Sequence, residues 1–199
     1  ELPRVLAPPA AGEEGPPLRH EEYRNNGGAR GEQSFGDLDA ARKEADAIVE
    51  GTLVSKMQDG AFLEPQASLA RFDHRGELTL WSSTQVPHYV QRTVAMVLGL
   101  PVGKVRVIMP AVGGGFGPKA AASSMELITC LLARETGRPV KTVMTREQVF
   151  LHSRARHQYF HTMTTGMRKD GSLVFLDHHN VMDGGAYTSF GIASVYYAG

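Results

Sequence analysis

Val105-Arg106-Val107-Ile108-Met109-Pro110-Ala111-Val112-Gly113-Gly114-Gly115-Phe116-Gly117-Pro118-Lys119 is the stretch on which the fold turns, and AAASSMELITCLLARE follows it over residues 120–135. The alternation of Val105, Val107 and Met109 with Arg106 and Ile108 predicts a short strand. Residues 120–135 predict a helix, with Met125, Ile128 and Leu132 as its buried stripe and Gly137 and Pro139 as its stop signals. Between them, Gly113, Gly114, Gly115 and Gly117 remove side chains and let a ligand approach the backbone closely. Peptide N–H groups at a strand-to-helix junction form a concavity that attracts electron-rich groups, whether phosphate, oxo or sulfido. A purely structural turn is the competing reading. Two phosphate motifs fail here. A P-loop needs Ser or Thr after Gly-Lys, where this chain has Pro118-Lys119-Ala120, and the dinucleotide pattern needs glycine where Pro118 stands.

Upstream, residues 69–72 and 78–82 read as two strands joined through His74-Arg75-Gly76. Pro87 opens a helix whose Val90, Val94, Val97 and Leu98 form one apolar stripe, ended by Gly99 and Pro101. Gln85 therefore lies at a second strand-to-helix junction, after Trp81-Ser82-Ser83-Thr84. A loop Gln is ordinarily just solvated. Further upstream, Asp37 caps a short helix and residues 48–56 form a strand. Downstream, residues 140–144 read as a strand and Thr145 caps a short helix through Phe150. Residues 159–168 and 173–182 pair across Lys169-Asp170-Gly171, a hairpin signal. Strands and helices mix without strict alternation, which predicts an α+β fold. Residues 1–34, with Pro8-Pro9, Pro16-Pro17 and Gly27-Gly28, read as connector or tail, so the organised part is 35–199.

Composition narrows the function classes. The 199 residues carry 21 Lys plus Arg against 21 Asp plus Glu, so no net field favours nucleic acid or an anionic membrane. The single cysteine, Cys130, excludes an internal disulfide framework and an all-cysteine metal or iron–sulfur site. It agrees with a reducing, cytoplasmic setting. No apolar run approaches the ~18 residues of a membrane span, and the first residues carry no secretory signal. Both ends read as abrupt, so a partial chain is expected.

Other polar residues could carry chemistry. Glu64, in Phe62-Leu63-Glu64-Pro65-Gln66, is either buried and paired or pointed outward, and a structural role is favoured over a catalytic one. His152, His157, His161, His178 and His179 invite a zinc site, but no His-Glu-x-x-His pattern accompanies them. No nucleophile triad can be recognised from spacing, because triads are spatial.

Four blocks in order resemble the molybdenum hydroxylase family, which includes xanthine dehydrogenase, aldehyde oxidoreductase and 4-hydroxybenzoyl-CoA reductase. They are Phe35-Gly36-Asp37-Leu38-Asp39-Ala40-Ala41 running to Val49-Glu50-Gly51-Thr52, Phe62-Leu63-Glu64-Pro65-Gln66, Trp81-Ser82-Ser83-Thr84-Gln85, and Gly113–Lys119 with Thr136-Gly137-Arg138-Pro139-Val140-Lys141 downstream. The resemblance implies the first part of a molybdopterin-binding domain over 35–199, with 1–34 as the tail of a preceding α/β hammerhead-like domain. It also implies that Gln85 stands beside the molybdenum as the catalytic-site residue of this chain. Gly114, Gly115, Phe116 and Gly117 would hold the cofactor by their backbone, with Phe116 also in the metal's environment. The family's catalytic Glu lies outside these 199 residues.

The implied cofactor is molybdenum-molybdopterin, with or without a cytosine nucleotide. Two-iron two-sulfur clusters and FAD would sit on partner subunits, in an oligomer of the heteromeric unit, and the substrate would be a small molecule. Xanthine-oxidising members carry Glu directly after the loop's Lys, where this chain has Ala120. They often carry His before the Phe-Leu-Glu-Pro block, where Asp59-Gly60 stands here. An aldehyde, another N-heterocycle or an aromatic acyl thioester is expected ahead of a purine. The alternative is a non-enzymatic module binding a nucleotide or phosphate through the glycine loop.

Overall fold

The computed structural model describes residues 30–185 and 189–197; the expected connector falls almost wholly outside them. In chain order the elements are α1 (Leu38–Glu44), β1 (Ala47–Ser55), β2 (Ala67–Phe72), β3 (Leu78–Ser82), α2 (Pro87–Leu98), a 3₁₀ turn (Val102–Lys104), β4 (Val105–Ile108), α3 (Ser124–Thr136), β5 (Val140–Val143), α4 (Arg146–His152), β6 (Gln158–Met167), β7 (Leu173–Asp183) and α5 (Gly191–Tyr197). They form two compact units. Asp59–Arg156 is one, and the chain on either side of it supplies the other.

The inner unit is built on a four-stranded sheet of order β4-β3-β2-β5. β2 is antiparallel to β3 and β5, and β3 runs parallel to β4 through the crossover helix α2. Alternate strand residues Ala70, Leu78, Leu80 and Val105 are buried with Val90, Val94, Ala95 and Leu98 of α2 and Cys130 and Ala133 of α3. This is the α+β layering expected of a mixed pattern. Gly99 and Gly137 end α2 and α3 in the left-handed conformation, at φ 65° and 62°.

Three expectations need correction. Val97 is 53% exposed, and Ala95 takes its place on the buried side of α2. In α3 the buried face is Met125, Glu126, Thr129, Cys130 and Ala133, whereas Ile128 and Leu132 are 52% and 45% exposed. The cause is polar. Ser68 Oγ donates to Thr129 Oγ1 at 2.9 Å, Thr129 Oγ1 lies 2.8 Å from Thr142 Oγ1, and Ser82 Oγ donates to Glu126 Oε1 at 2.5 Å. Hydrogen bonds made to the sheet draw this face inward, since burying these groups unpaired would cost more than exposing Ile128. The helix also starts later than residue 120. Ser123 and Glu126 close a capping box at its first turn.

The outer unit is a three-stranded antiparallel sheet of order β1-β6-β7, with β6 and β7 joined across Asp170-Gly171 as expected. Asp37 caps α1 by accepting from the Ala40 N–H at 3.0 Å. His161 has ring nitrogens 2.5 Å from Asn180 Oδ1 and 3.4 Å from Ser55 Oγ, and its ring stacks between Tyr159 and His178. Among the described residues, no group of three or more His, Cys, Asp or Glu could hold a metal ion.

Gly166 is buried in β6 because Phe175 of β7 lies across it. A Cβ there would lie 2.2 Å from Phe175 Cε1 and 2.5 Å from Cδ1. Gly166→Ala should therefore destabilise the chain by about 1–3 kcal/mol, the usual cost of overpacking. The urea midpoint is the measurement, and an unchanged midpoint would mean that the ring swings aside freely.

Candidate functional site

The segment that carries Gln85 is fixed on both sides by its own neighbours. Ser83 N–H donates to Ala67 O at 3.0 Å, and Ser83 Oγ accepts from Ala67 N–H at 2.9 Å. Thr84 Oγ1 lies 3.2 Å from Lys119 O and accepts from Val86 N–H at 3.1 Å. Ser82, Ser83 and Thr84 are buried, and Gln85 next to them is exposed. Strand pairing thus ends in a short polar brace, and Pro87 starts α2 directly after it.

The glycine loop meets this segment. Gly117 N–H donates to Gln85 Oε1 at 3.1 Å. A Cβ on Gly115 would stand 2.5 Å from Gln85 Oε1 and 2.6 Å from its carboxamide carbon. Glycine at 115 is what lets the side chain lie over the backbone. Gly114, Phe116 and Gly117 adopt positive φ of 96°, 55° and 100°. For Phe116 this is unusual in a side chain of its size and consistent with a strained functional turn. Its ring is 75% exposed.

A charged pair holds the loop at both ends. Lys119, 1% exposed, donates from Nζ to Glu64 Oε2 at 2.8 Å and to Glu64 O at 3.0 Å, and lies 4.6 Å from the Phe62 ring centroid. Glu64 Oε2 also accepts from Gly113 N–H at 2.8 Å, and Glu64 N–H donates to Gly113 O at 3.1 Å. At the other end, Lys119 O accepts from Gln85 N–H at 2.9 Å. Of the two readings open for Glu64, the paired one is found.

Partial burial pushes the Glu64 carboxyl up, but the hydrogen bonds from Lys119 and Gly113 and the Lys119 charge outweigh it and leave it below its ordinary 4.5. The stabilisation is therefore complete above pH 4.5 and is lost as pH falls through the lowered folded-state value. Wild-type protein should lose more stability between pH 7 and pH 3 than Glu64→Gln. Equal losses in urea titrations at the two pH values would refute the pairing's role.

The expected site residues Gln85, Gly114, Gly115, Phe116 and Gly117 are thus brought together. The loop itself is not at a helix N-terminus, because residues 109–123 separate β4 from α3, so its donors are not those of a helix end. The positive-φ turn supplies them instead. The sequence alone gives Glu64 a structural role and sets Lys119 at the end of the glycine loop, without pairing the two. The available signal was a lone acid and a lone base, each set in a nearly uncharged stretch.

A molybdenum-pterin group was tested against these residues. The Gly117 amide is taken up by Gln85 Oε1, but Gln85 Nε2 and the N–H groups of Gly114, Gly115 and Phe116 have no partner among the described residues. Glu64, the nearest carboxylate in this network, is occupied by Gly113 and Lys119. Uncommitted amide donors on a glycine-rich loop suit an anionic oxo–sulfido or phosphate-like group. The residues fit.

The chain is similar to known proteins over most of its length. A family model described as the molybdopterin cofactor-binding domain matches residues 19–199. The nicotinate dehydrogenase large molybdopterin subunit of Eubacterium barkeri is 40% identical over 81% of this chain and 38% of its own length. The nicotine 6-hydroxylase large subunit of Paenarthrobacter nicotinovorans is 33% identical over 92% of this chain and 22% of its own length. Among solved structures, quinoline 2-oxidoreductase from Pseudomonas putida 86 superposes with a TM-score of 0.69 at 32% identity, covering 76% of this chain and 19% of that one. The chain spans well under half the length of these relatives. With the loop, its Gln85 contact and a family match running through both, this chain belongs to the molybdopterin cofactor-binding domain family.

Proposed function

We propose that this chain is the cofactor-facing part of a molybdenum-dependent oxidoreductase that hydroxylates a small aldehyde or N-heterocycle, with reduction of an aromatic acyl thioester as the remaining family chemistry. The observation that carries the reading is the Gln85 carboxamide, held by the Gly117 amide beside N–H groups of residues 114–116 that have no acceptor among the described residues. The loop amides and Gln85 would hold a molybdenum-pterin group, which when bound would supply two-electron redox chemistry for hydroxylation of the substrate with oxygen from water. Gln85 offers its amide N–H₂ as an oriented donor. The loop amides stabilise negative charge on the group's ligands at no reorganisation cost. Phe116, exposed on its strained turn, gives the site an apolar wall.

Three relatives named for nicotinate, nicotine and quinoline support a planar nitrogen heterocycle as substrate. Ala120 removes the carboxylate that the purine-oxidising pattern would place next to Lys119, and points away from a purine. The relatives' names as large subunits support smaller partner subunits, which would carry two-iron two-sulfur clusters and FAD and lead electrons away, in an oligomer of that heteromeric unit. Among the described residues no helix is long and apolar enough to cross a membrane, and a cytoplasmic setting fits the single buried Cys130.

The amide donors of the glycine loop also suit a nucleotide phosphate without catalysis. One experiment separates the readings: the full-length protein, isolated with its native partners, is analysed for molybdenum, pterin and released cytosine nucleotide, and then for ATP binding. Stoichiometric molybdenum and pterin are expected. ATP binding without either would favour the phosphate module.

A further inference from the structure

We propose that Lys119 is the positioning residue of this site, coupling the glycine loop to Gln85, and this rests on the cofactor reading above. Its ammonium cannot itself serve a ligand, being buried and engaged with Glu64 O, Glu64 Oε2 and the Phe62 ring. Its two ends act on different halves of the donor set. Through Nζ and Glu64 it fixes Gly113, where the loop begins. Through its carbonyl it fixes the Gln85 N–H and the Thr84 hydroxyl, at the root of the side chain that meets Gly117. Both sides of the contact between the loop amides and the Gln85 carboxamide are therefore tied to one residue. The opposed charges of Lys119 and Glu64 balance, so the clamp adds little net field at the site. Its contribution is geometric. Positioning groups behind a metal centre affect its retention through the groups they orient.

The test uses the full-length subunit in its native complex. Molybdenum is measured by elemental analysis and pterin by fluorescence after oxidation, both before and after prolonged dialysis. The panel is wild type, Lys119→Met, Glu64→Gln, Gln85→Ala and the double variant Lys119→Met/Gln85→Ala. Lys119→Met should weaken cofactor retention about 10–100-fold. Glu64→Gln keeps a carbonyl acceptor for Gly113 and Lys119 and should lose less, which preserves the test if Lys119→Met fails to fold.

In the double variant the Lys119→Met loss should be smaller than in wild type, because with the Gln85 carboxamide gone the spacing between it and the loop amides no longer counts. A merely structural lysine would give additive losses. Additive losses, or Lys119→Met and Glu64→Gln both retaining cofactor like wild type, overturn the clamp while leaving the cofactor reading in place. Wild-type protein that holds neither molybdenum nor pterin overturns the cofactor reading itself, and the clamp with it.

Discussion

Gln85→Ala in the complete enzyme should lower turnover per molybdenum by about 10²–10³-fold, the usual cost of removing one oriented donor from an electrostatic site. The fold should survive. Gln85 is exposed, and its neighbours Ser83 and Thr84 are braced by bonds that do not involve its side chain. The loss has two parts. Nε2 no longer faces the bound group, and the Gly117 N–H loses its acceptor, so the loop itself relaxes. Turnover normalised to metal content measures the effect. Wild-type turnover at full metal loading would remove Gln85 from the mechanism.

Gly115→Ala should be nearly as damaging to turnover while leaving the urea midpoint close to wild type. A Cβ there meets Gln85 Oε1, Cδ and Cγ at 2.5, 2.6 and 2.9 Å, and all three belong to a flexible side chain that can move away. Gly115 is not among the positive-φ positions, so alanine adds no backbone strain. The added methyl group therefore meets Gln85 first and drives it off the loop. Displacing a positioned group by about 1 Å can cost on the order of 10²-fold in rate. An active Gly115→Ala enzyme would mean that the Gln85 contact with the loop is dispensable.

Local signals in the sequence predicted local structure well. Asp170-Gly171 marks a hairpin, Gly99 and Gly137 stop helices, and Asp37 and Thr145 cap them, because each acts within a few residues. The glycine loop and Gln85 were also legible, one from its composition and both from their match to family blocks. The α3 face was not. Its apolar residues suggest one stripe, but Glu126 and Thr129 find partners on β3, β2 and β5 that no periodicity encodes. The Glu64–Lys119 pair was hidden for the same reason. Its members are 55 positions apart, and each alone reads as an ordinary surface charge.

The most direct measurement is anomalous diffraction at the molybdenum edge from crystals of the full-length, cofactor-loaded subunit. The account predicts a metal peak whose ligands lie within hydrogen-bonding reach of Gln85 Nε2 and the backbone amides of residues 114–116. A peak remote from both, or a loop whose amides turn away from the metal, would contradict it.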